Sequence, residues 1–355
     1  MLTHTRIMTA AGLVLLLATG LLALVGAVPA AEAGDGPYAL AGRWKIGGPG
    51  GWDYLTADPA RARLFVTRGD HVDVLSLKDA SVLGHIPGTS GVHGVALAPG
   101  LKRGFTSNGR ANSVTEFDYE TLAVLREVKI PGVNPDAIVF DEGSGRLFTF
   151  NGPSKDATVL DAKTLAVVAT VAVPDKPEFA TIDGSGRVYV NIESSTGQIV
   201  VIDAARAAVV ATWNLPGCEE PTGIALDGAR HRLFSVCSNR RMVVTDSRDG
   251  TRIAEVPIGG GPDAVAFDAD RGLVFSSNGE GSLTVARADA GDRFSVLETL
   301  ATARGARTMA LDPVSHRVYL VTAEFGPTPT PVAGQRPARA SPLPDTFTVL
   351  MAEPH

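Results

Sequence analysis

Between residue 38 and the C-terminus the chain is written in short runs of alternating apolar and polar residues, broken every few positions by polar turns. Alternation of this kind is the signature of half-buried strands, and helical repeats would instead place apolar residues three and four apart. One apolar-polar phrase recurs seven times: DYLTAD (53–58), HGVALA (93–98), DAIVFD (136–141), EFATID (178–183), TGIALD (222–227), DAVAFD (263–268) and RTMALD (307–312). Their last positions are separated by 40, 43, 42, 44, 41 and 44 residues. A period in the low forties built from short strands is that of a propeller blade.

Each repeat divides into four strands. The recurrent core is the first, and a turn carrying Asp and Arg follows, as in Asp141…Arg146, Asp227…Arg232 and Asp312…Arg317. The second strand is rich in β-branched and aromatic residues, as in LFVT (64–67), LFTF (147–150) and VYLV (318–321), which suit a pleated surface. The third is typified by SVTEFD (113–118), QIVVID (198–203) and MVVTD (242–246), and the fourth by VVATVAV (167–173) and RIAEVPI (252–258). Asp118, Asp161, Asp203 and Asp246 end third strands, where a carboxylate that bonds its own backbone forms a turn. The seventh repeat lacks a fourth strand, yet YALAGRWKIGG (38–48) resembles the fourth strand TLAVLREVKIPG (121–132). The prediction is an all-β, seven-bladed propeller of four-stranded antiparallel blades. The N-terminal strand completes the last blade, so no sheet edge is left open.

The second-strand words FVT, FTSN, FTFN and FSSN, with the N-P-D and G-P-D openers before the first strand, resemble those of the YVTN-type, YncE-like propeller family. The likeness spans residues 38–352. It implies an exported bacterial propeller, in a family whose repeat words are scaffold residues and whose members mostly lack an assigned reaction.

The first 33 residues read separately. Arg6 is followed by a charge-free run from Met8 to Ala31 and then by Ala31-Glu32-Ala33. A small-x-small sequence after such a run reads as a secretory signal peptide over 1–33. The other reading is an uncleaved membrane anchor, which is the only membrane contact foreseen. Residues 34–355 then form the propeller, placed in the periplasm or outside the cell. With a formal net charge of −6 and no Lys/Arg block, no nucleic-acid surface is expected.

On one face of a propeller emerge the links between blades and the turns between second and third strands. That places the first residue of each core at the mouth of the central channel: Asp53, His93, Asp136, Glu178, Thr222, Asp263 and Arg307, with Trp52 beside them. His71, Asn108, Asn151, Glu193, Asn239, Asn278 and Glu324 occupy second turns on the same face. Converging polar groups at a concave mouth make the candidate ligand site. Asp53, Asp136, Glu178 and Asp263 form an alternative set for a divalent cation such as calcium, which takes oxygen ligands and would polarise a lactone or ester carbonyl. The structural reading of Asp136 and Asp263 is that they bond their own turns. His231 and His316 fall at first turns on the opposite face, as exposed bystanders.

No HExxH, CxxC or G-x-S-x-G pattern is present, and no c-type haem attachment motif. A binding propeller that takes a small molecule or protein partner is therefore the leading expectation, a metal-assisted lactonase-type hydrolase the second, and a quinone or electron-transfer propeller the last. Cys218 and Cys237 fall on the same face in the link and second turn of blade 5, where a disulfide would staple a loop beside the mouth; two buried free thiols are the other reading. The proline-rich segment 326–345, inserted in blade 7, is too long for a hairpin loop. It reads as a cover or partner-binding segment, or as a tolerated insertion.

Overall fold

The computed structural model describes residues 1–2, 36–49, 51–289, 291–328 and 340–355. Apart from its first two residues, the segment 1–33 read above as a signal peptide lies outside these. The described chain is built from antiparallel strands, with two single-turn 3-10 helices at Pro59–Arg61 and Pro99–Leu101. Five sheets have four strands and a sixth has seven. The large sheet is blades 1 and 2 joined through one long strand, Val82–Ala98, whose outer half closes blade 1 and whose inner half opens blade 2. Seven blades result. The expected Gly/Pro-rich link between the first two blades is here continuous extended backbone, and Val92 faces Gly69 across the ladder.

Closure is by mixed ends. Tyr38–Lys45 pairs antiparallel with Thr348–Pro354, and Trp44 stands opposite Val349. The last sheet therefore runs from the N-terminal strand through Thr348–Pro354 and Arg317–Thr322 to Met309–Asp312. Closing the ring in this way satisfies the backbone edge that Thr348–Pro354 would otherwise expose.

The gradient of burial across a blade explains its sequence. Second strands such as Arg63–Thr67 and Arg232–Cys237 are buried along their whole length, because both faces meet neighbouring blades. Across the seam between blades 3 and 4, Phe148 and Phe150 pack with Val188, Val190 and Ile202. At the closing seam, Leu64 and Val66 of blade 1 meet Tyr319, Val349 and Met351 of blade 7. Fourth strands face outward, and Val124–Lys129 is exposed for most of its length.

The turn aspartates act as their positions predict. Asp118 accepts backbone N–H bonds from Glu120 and Thr121, and Asp161 from Lys163 and Thr164. At first turns Asp141 accepts from Ser144, and Asp312 from Val314. On that same face His231 is exposed, as foreseen. His316 is not a bystander: its Nδ1 lies 2.8 Å from buried Asp268 Oδ2, tying blade 7 to blade 6.

Candidate functional site

Proline or valine opens the inner strand of blades 2 to 6, and the ladder register shifts just after it. The shifts fall at Val92/Val95, Pro135/Ile138, Pro177/Ala180, Pro221/Ile224 and Pro262/Ala264. Inside these irregularities sit His93, Asp136, Glu178, Thr222 and Asp263. A bulge next to a strand start re-aims its side chain, and here all five turn toward the channel. With Asp53 and Arg307 they line one cavity of about 570 Å³. All seven first-position residues are thus brought together. Backbone bonds between blades hold the ring of positions in place: Tyr54 N–H donates to His93 O at 3.2 Å, and Ala264 N–H to Arg307 O at 3.2 Å.

The lining is dominated by charge. Six carboxylates (Asp53, Asp136, Glu178, Glu193, Glu220 and Asp263) share it with three cationic groups, His93, Lys176 and Arg307. His93 Nδ1 is 2.5 Å from Asp53 Oδ2 and 3.6 Å from Asp136 Oδ1. Burial alone would lower the imidazole pKa. The bond to Asp53 and the nearby charge of Asp136 outweigh it and raise the pKa to about 9. His93 is therefore an imidazolium at neutral pH. Asp136 is pushed up to about 7 by burial and by the charge of Asp53, with His93 and Lys176 opposing. Its Oδ1 is buried with no hydrogen-bond partner among the described residues. It does not cap its own turn; the carboxylate looks into the channel.

Lys176 Nζ lies 2.7 Å from Glu178 Oε2 and also contacts Glu193. Burial and the charge of Asp136 drive the Glu178 pKa well above its usual range. Arg307 Nε is 3.1 Å from Asp263 Oδ2, so both of the outlying carboxylates of the expected calcium set already have a cation beside them. The set that converges instead is Asp53, His93 and Asp136, whose ligand atoms lie within 4.8 Å of one another. The Tyr54 hydroxyl, buried beside this group, has its pKa raised well above normal by burial and by the surrounding carboxylates.

Trp52 leaves the site. Its ring packs on Phe325 and Phe347 at centroid distances of 6.1 and 5.6 Å and belongs to the closing seam rather than to the channel wall. The second-turn asparagines also leave it. Asn108, Asn151 and Asn278 are fully buried, and each Nδ2 donates to hydroxyls of its own blade's third strand: Thr115, Thr158 and Thr284. They are internal struts. Asn239 bonds Gly217 O at 3.0 Å instead.

The sequence reading missed Lys176, Glu220 and Ser238 in the lining. Lys176 lies two residues before Glu178 in a link, and the Lys-Pro-Glu triplet is the one local sign of it. Glu220 and Ser238 flank the cysteines. Cys218 and Cys237 are disulfide-bonded, with Cα atoms 5.2 Å apart, and Pro221 pairs with Cys237 across the ladder. The base of the 326–345 insertion is a short antiparallel contact in which Gly326 N–H donates to Ser341 O and Leu343 N–H to Glu324 O. Residues 329–339 lie outside the described residues.

No family model matches the chain, and no curated protein does. Solved structures do. That of U3-55K superposes with a TM-score of 0.71 at 11% identity, covering 88% of this chain and 98% of the other. The WD40 repeats of RRP9 give a TM-score of 0.71 at 11% identity, covering 88% and 97%. Identity this low speaks for architecture alone. The chain has a β-propeller fold.

Proposed function

We propose that this is an exported binding propeller whose channel mouth accepts a cationic group, either of a small amine or guanidine or of a basic side chain on a protein partner. The observation that carries this reading is the imbalance of the lining, six carboxylates against three cations, with a buried Asp136 oxygen that has no hydrogen-bond partner among the described residues. Crowded carboxylates relieve their repulsion by taking up protons, and a cationic guest replaces those protons with ion pairs. Export is supported by the apolar N-terminal run before Ala31-Glu32-Ala33, by the bonded cysteine pair, and by the YVTN-type words of the second strands.

The test is a titration with 1,4-diaminobutane and agmatine, with malonate as the anionic control. Saturable binding of the cations with proton release is expected, read by calorimetry in buffers of different ionisation enthalpy, and Asp136→Asn should weaken it about tenfold or more. Tighter binding of malonate, or cation binding that Asp136→Asn leaves unchanged, would overturn the proposal.

A second reading, metal-assisted hydrolysis of a lactone or ester, is favoured by the convergence of Asp53, His93 and Asp136. Any ion there must displace the proton that His93 carries at neutral pH. Calcium and manganese titrations followed by thermal melting test it, since an ion bound to the folded state raises the Tm. An unchanged Tm with no lactone hydrolysis removes this reading.

A further inference from the structure

Blade 1 carries a second convergence of ligating groups, away from the channel lining. His71 and Asp73 are two residues apart on the strand Gly69–Ser76, so their side chains share one face of the sheet. On the neighbouring strand His85 stands directly opposite Asp73. His71 Nε2 is 3.3 Å from Asp73 Oδ1, His85 Nδ1 is 2.8 Å from the same oxygen, and the ligand atoms of all three lie within 4.8 Å of one another.

The surrounding bonds decide what this cluster is for. Asp70 Oδ1 lies 2.7 Å from His71 Nδ1. With that nitrogen donating to Asp70, Nε2 is the ring atom that faces Asp73. Arg68 Nη1 holds the other oxygen of Asp73 at 2.9 Å, while Arg68 Nη2 donates to Gly47 O and Pro49 O. Arg68 and Asp73 are both buried, so Oδ1 is fixed in place facing the two imidazoles. Two ring nitrogens and a carboxylate oxygen thus converge, and a cation among them would take the place of the hydrogen that bridges His85 Nδ1 and Asp73 Oδ1. Carboxylates bonded to the far nitrogen of a ligating histidine, and cations orienting a ligating carboxylate, are the outer shell that metal sites use.

We propose that His71 Nε2, Asp73 Oδ1 and His85 Nδ1 form a binding site for a zinc-class divalent transition ion, independent of the channel mouth. Two imidazoles and one carboxylate are a borderline-to-hard donor set that suits zinc and excludes calcium, which takes oxygen ligands. Tetrahedral coordination at zinc bond lengths sets ligand atoms roughly 3.3 Å apart. The His71–Asp73 separation already meets this. The His85 Nδ1, 2.8 Å from Oδ1 and within 4.8 Å of His71 Nε2, has to shift to reach the same spacing, and a ring with more than half of its side chain exposed has room to do so. Three protein ligands leave a fourth position open to water or to a donor from a partner.

The full chain without an affinity tag is titrated with Zn(II), with Ca(II) as the control. One equivalent of Zn(II) should bind and raise the Tm, and Ca(II) should not bind at this site. His71→Ala and His85→Ala should each weaken zinc at least tenfold. Both side chains are partly or largely exposed, so these variants fold; His231→Ala, an exposed histidine outside both sites, should leave zinc binding unchanged. Absence of saturable zinc binding, or zinc binding insensitive to both blade 1 variants, would overturn the proposal.

Discussion

His93 and Asp53 meet across the seam between the first two blades, with Nδ1 and Oδ2 2.5 Å apart. Because this contact and the neighbouring Asp136 charge raise the His93 pKa from 6.5 to about 9, the folded state holds a proton that the unfolded chain releases at lower pH. Its contribution to stability is complete below pH 6.5 and is lost as pH rises through 9. Asp136, pushed up to about 7, acts with the same sign over the range between its ordinary pKa and 7, since the folded state again binds the extra proton. Melting temperature should therefore fall between pH 6.5 and 9.5 more steeply in the wild type than in His93→Gln. Equal slopes for the two proteins would contradict the assignment. NMR titration of the imidazole in Asp53→Asn should find a lower pKa than in the wild type.

Trp44 opposite Val349 defines the ring closure. Removing residues 38–45 strips the fourth strand from blade 7, exposes the edge of Thr348–Pro354, and takes away fully buried Tyr38. The expected result is loss of a single cooperative melt together with concentration-dependent self-association through the freed edge, read by calorimetry and sedimentation velocity. Tyr38→Phe is the mild counterpart. It deletes only the hydroxyl bond to His316 O and should cost about 1 kcal/mol.

The residues that were legible from sequence are those that repeat. A position such as Asp136 or Asp263 is visible because it has a counterpart in every blade, and the N-terminal strand is visible because it resembles a fourth strand that one blade lacks. What could not be read depends on contacts between distant segments. Trp52 borders the channel in sequence, but Phe325 and Phe347 from the far end of the chain draw its ring into the seam. Lys176 lies outside the repeated core, so nothing in the periodicity marks it. The pairing of His85 with Asp73 depends on the hairpin register, which shifts one step later, between Val74 and Leu75. Burial likewise decides the asparagines: a turn former and an internal strut are the same letter until the third-strand hydroxyls are placed.

That distinction is measurable at the second turns. Asn278 is fully buried, accepts from Ser276 and donates to Ser282 and Thr284. Replacing it by Ala leaves hydroxyls without their partner inside the blade, at a cost of about 1–3 kcal/mol. In blade 5 Cys237 holds the corresponding position opposite Pro221, and Asn239 lies two residues beyond it in the turn, where its bond to Gly217 O is exposed. Asn239→Ala should stay within about 0.5 kcal/mol of the wild type. Denaturant melts of the two variants distinguish the roles, and similar losses would mean that the buried network contributes nothing specific.

The Cys218–Cys237 bridge joins structure to site. It closes a segment with a sequence separation of 19 residues, for which loop-closure entropy gives about 3 kcal/mol of stabilisation. Glu220 and Ser238 line the cavity from the two ends of that segment, and Ser238 N–H donates to Glu219 O at 2.8 Å, so the staple also positions lining groups. The paired variant Cys218→Ala/Cys237→Ala should lose roughly that stability and should weaken diamine binding at the mouth, while zinc binding on blade 1 remains as in the wild type. Both cysteines are buried, so a mild reductant should act slowly at 25 °C and faster as the protein approaches its melting temperature. Rapid reduction in the cold would show that the loop opens freely, and the bridge would then not be what holds Glu220 and Ser238 against the channel.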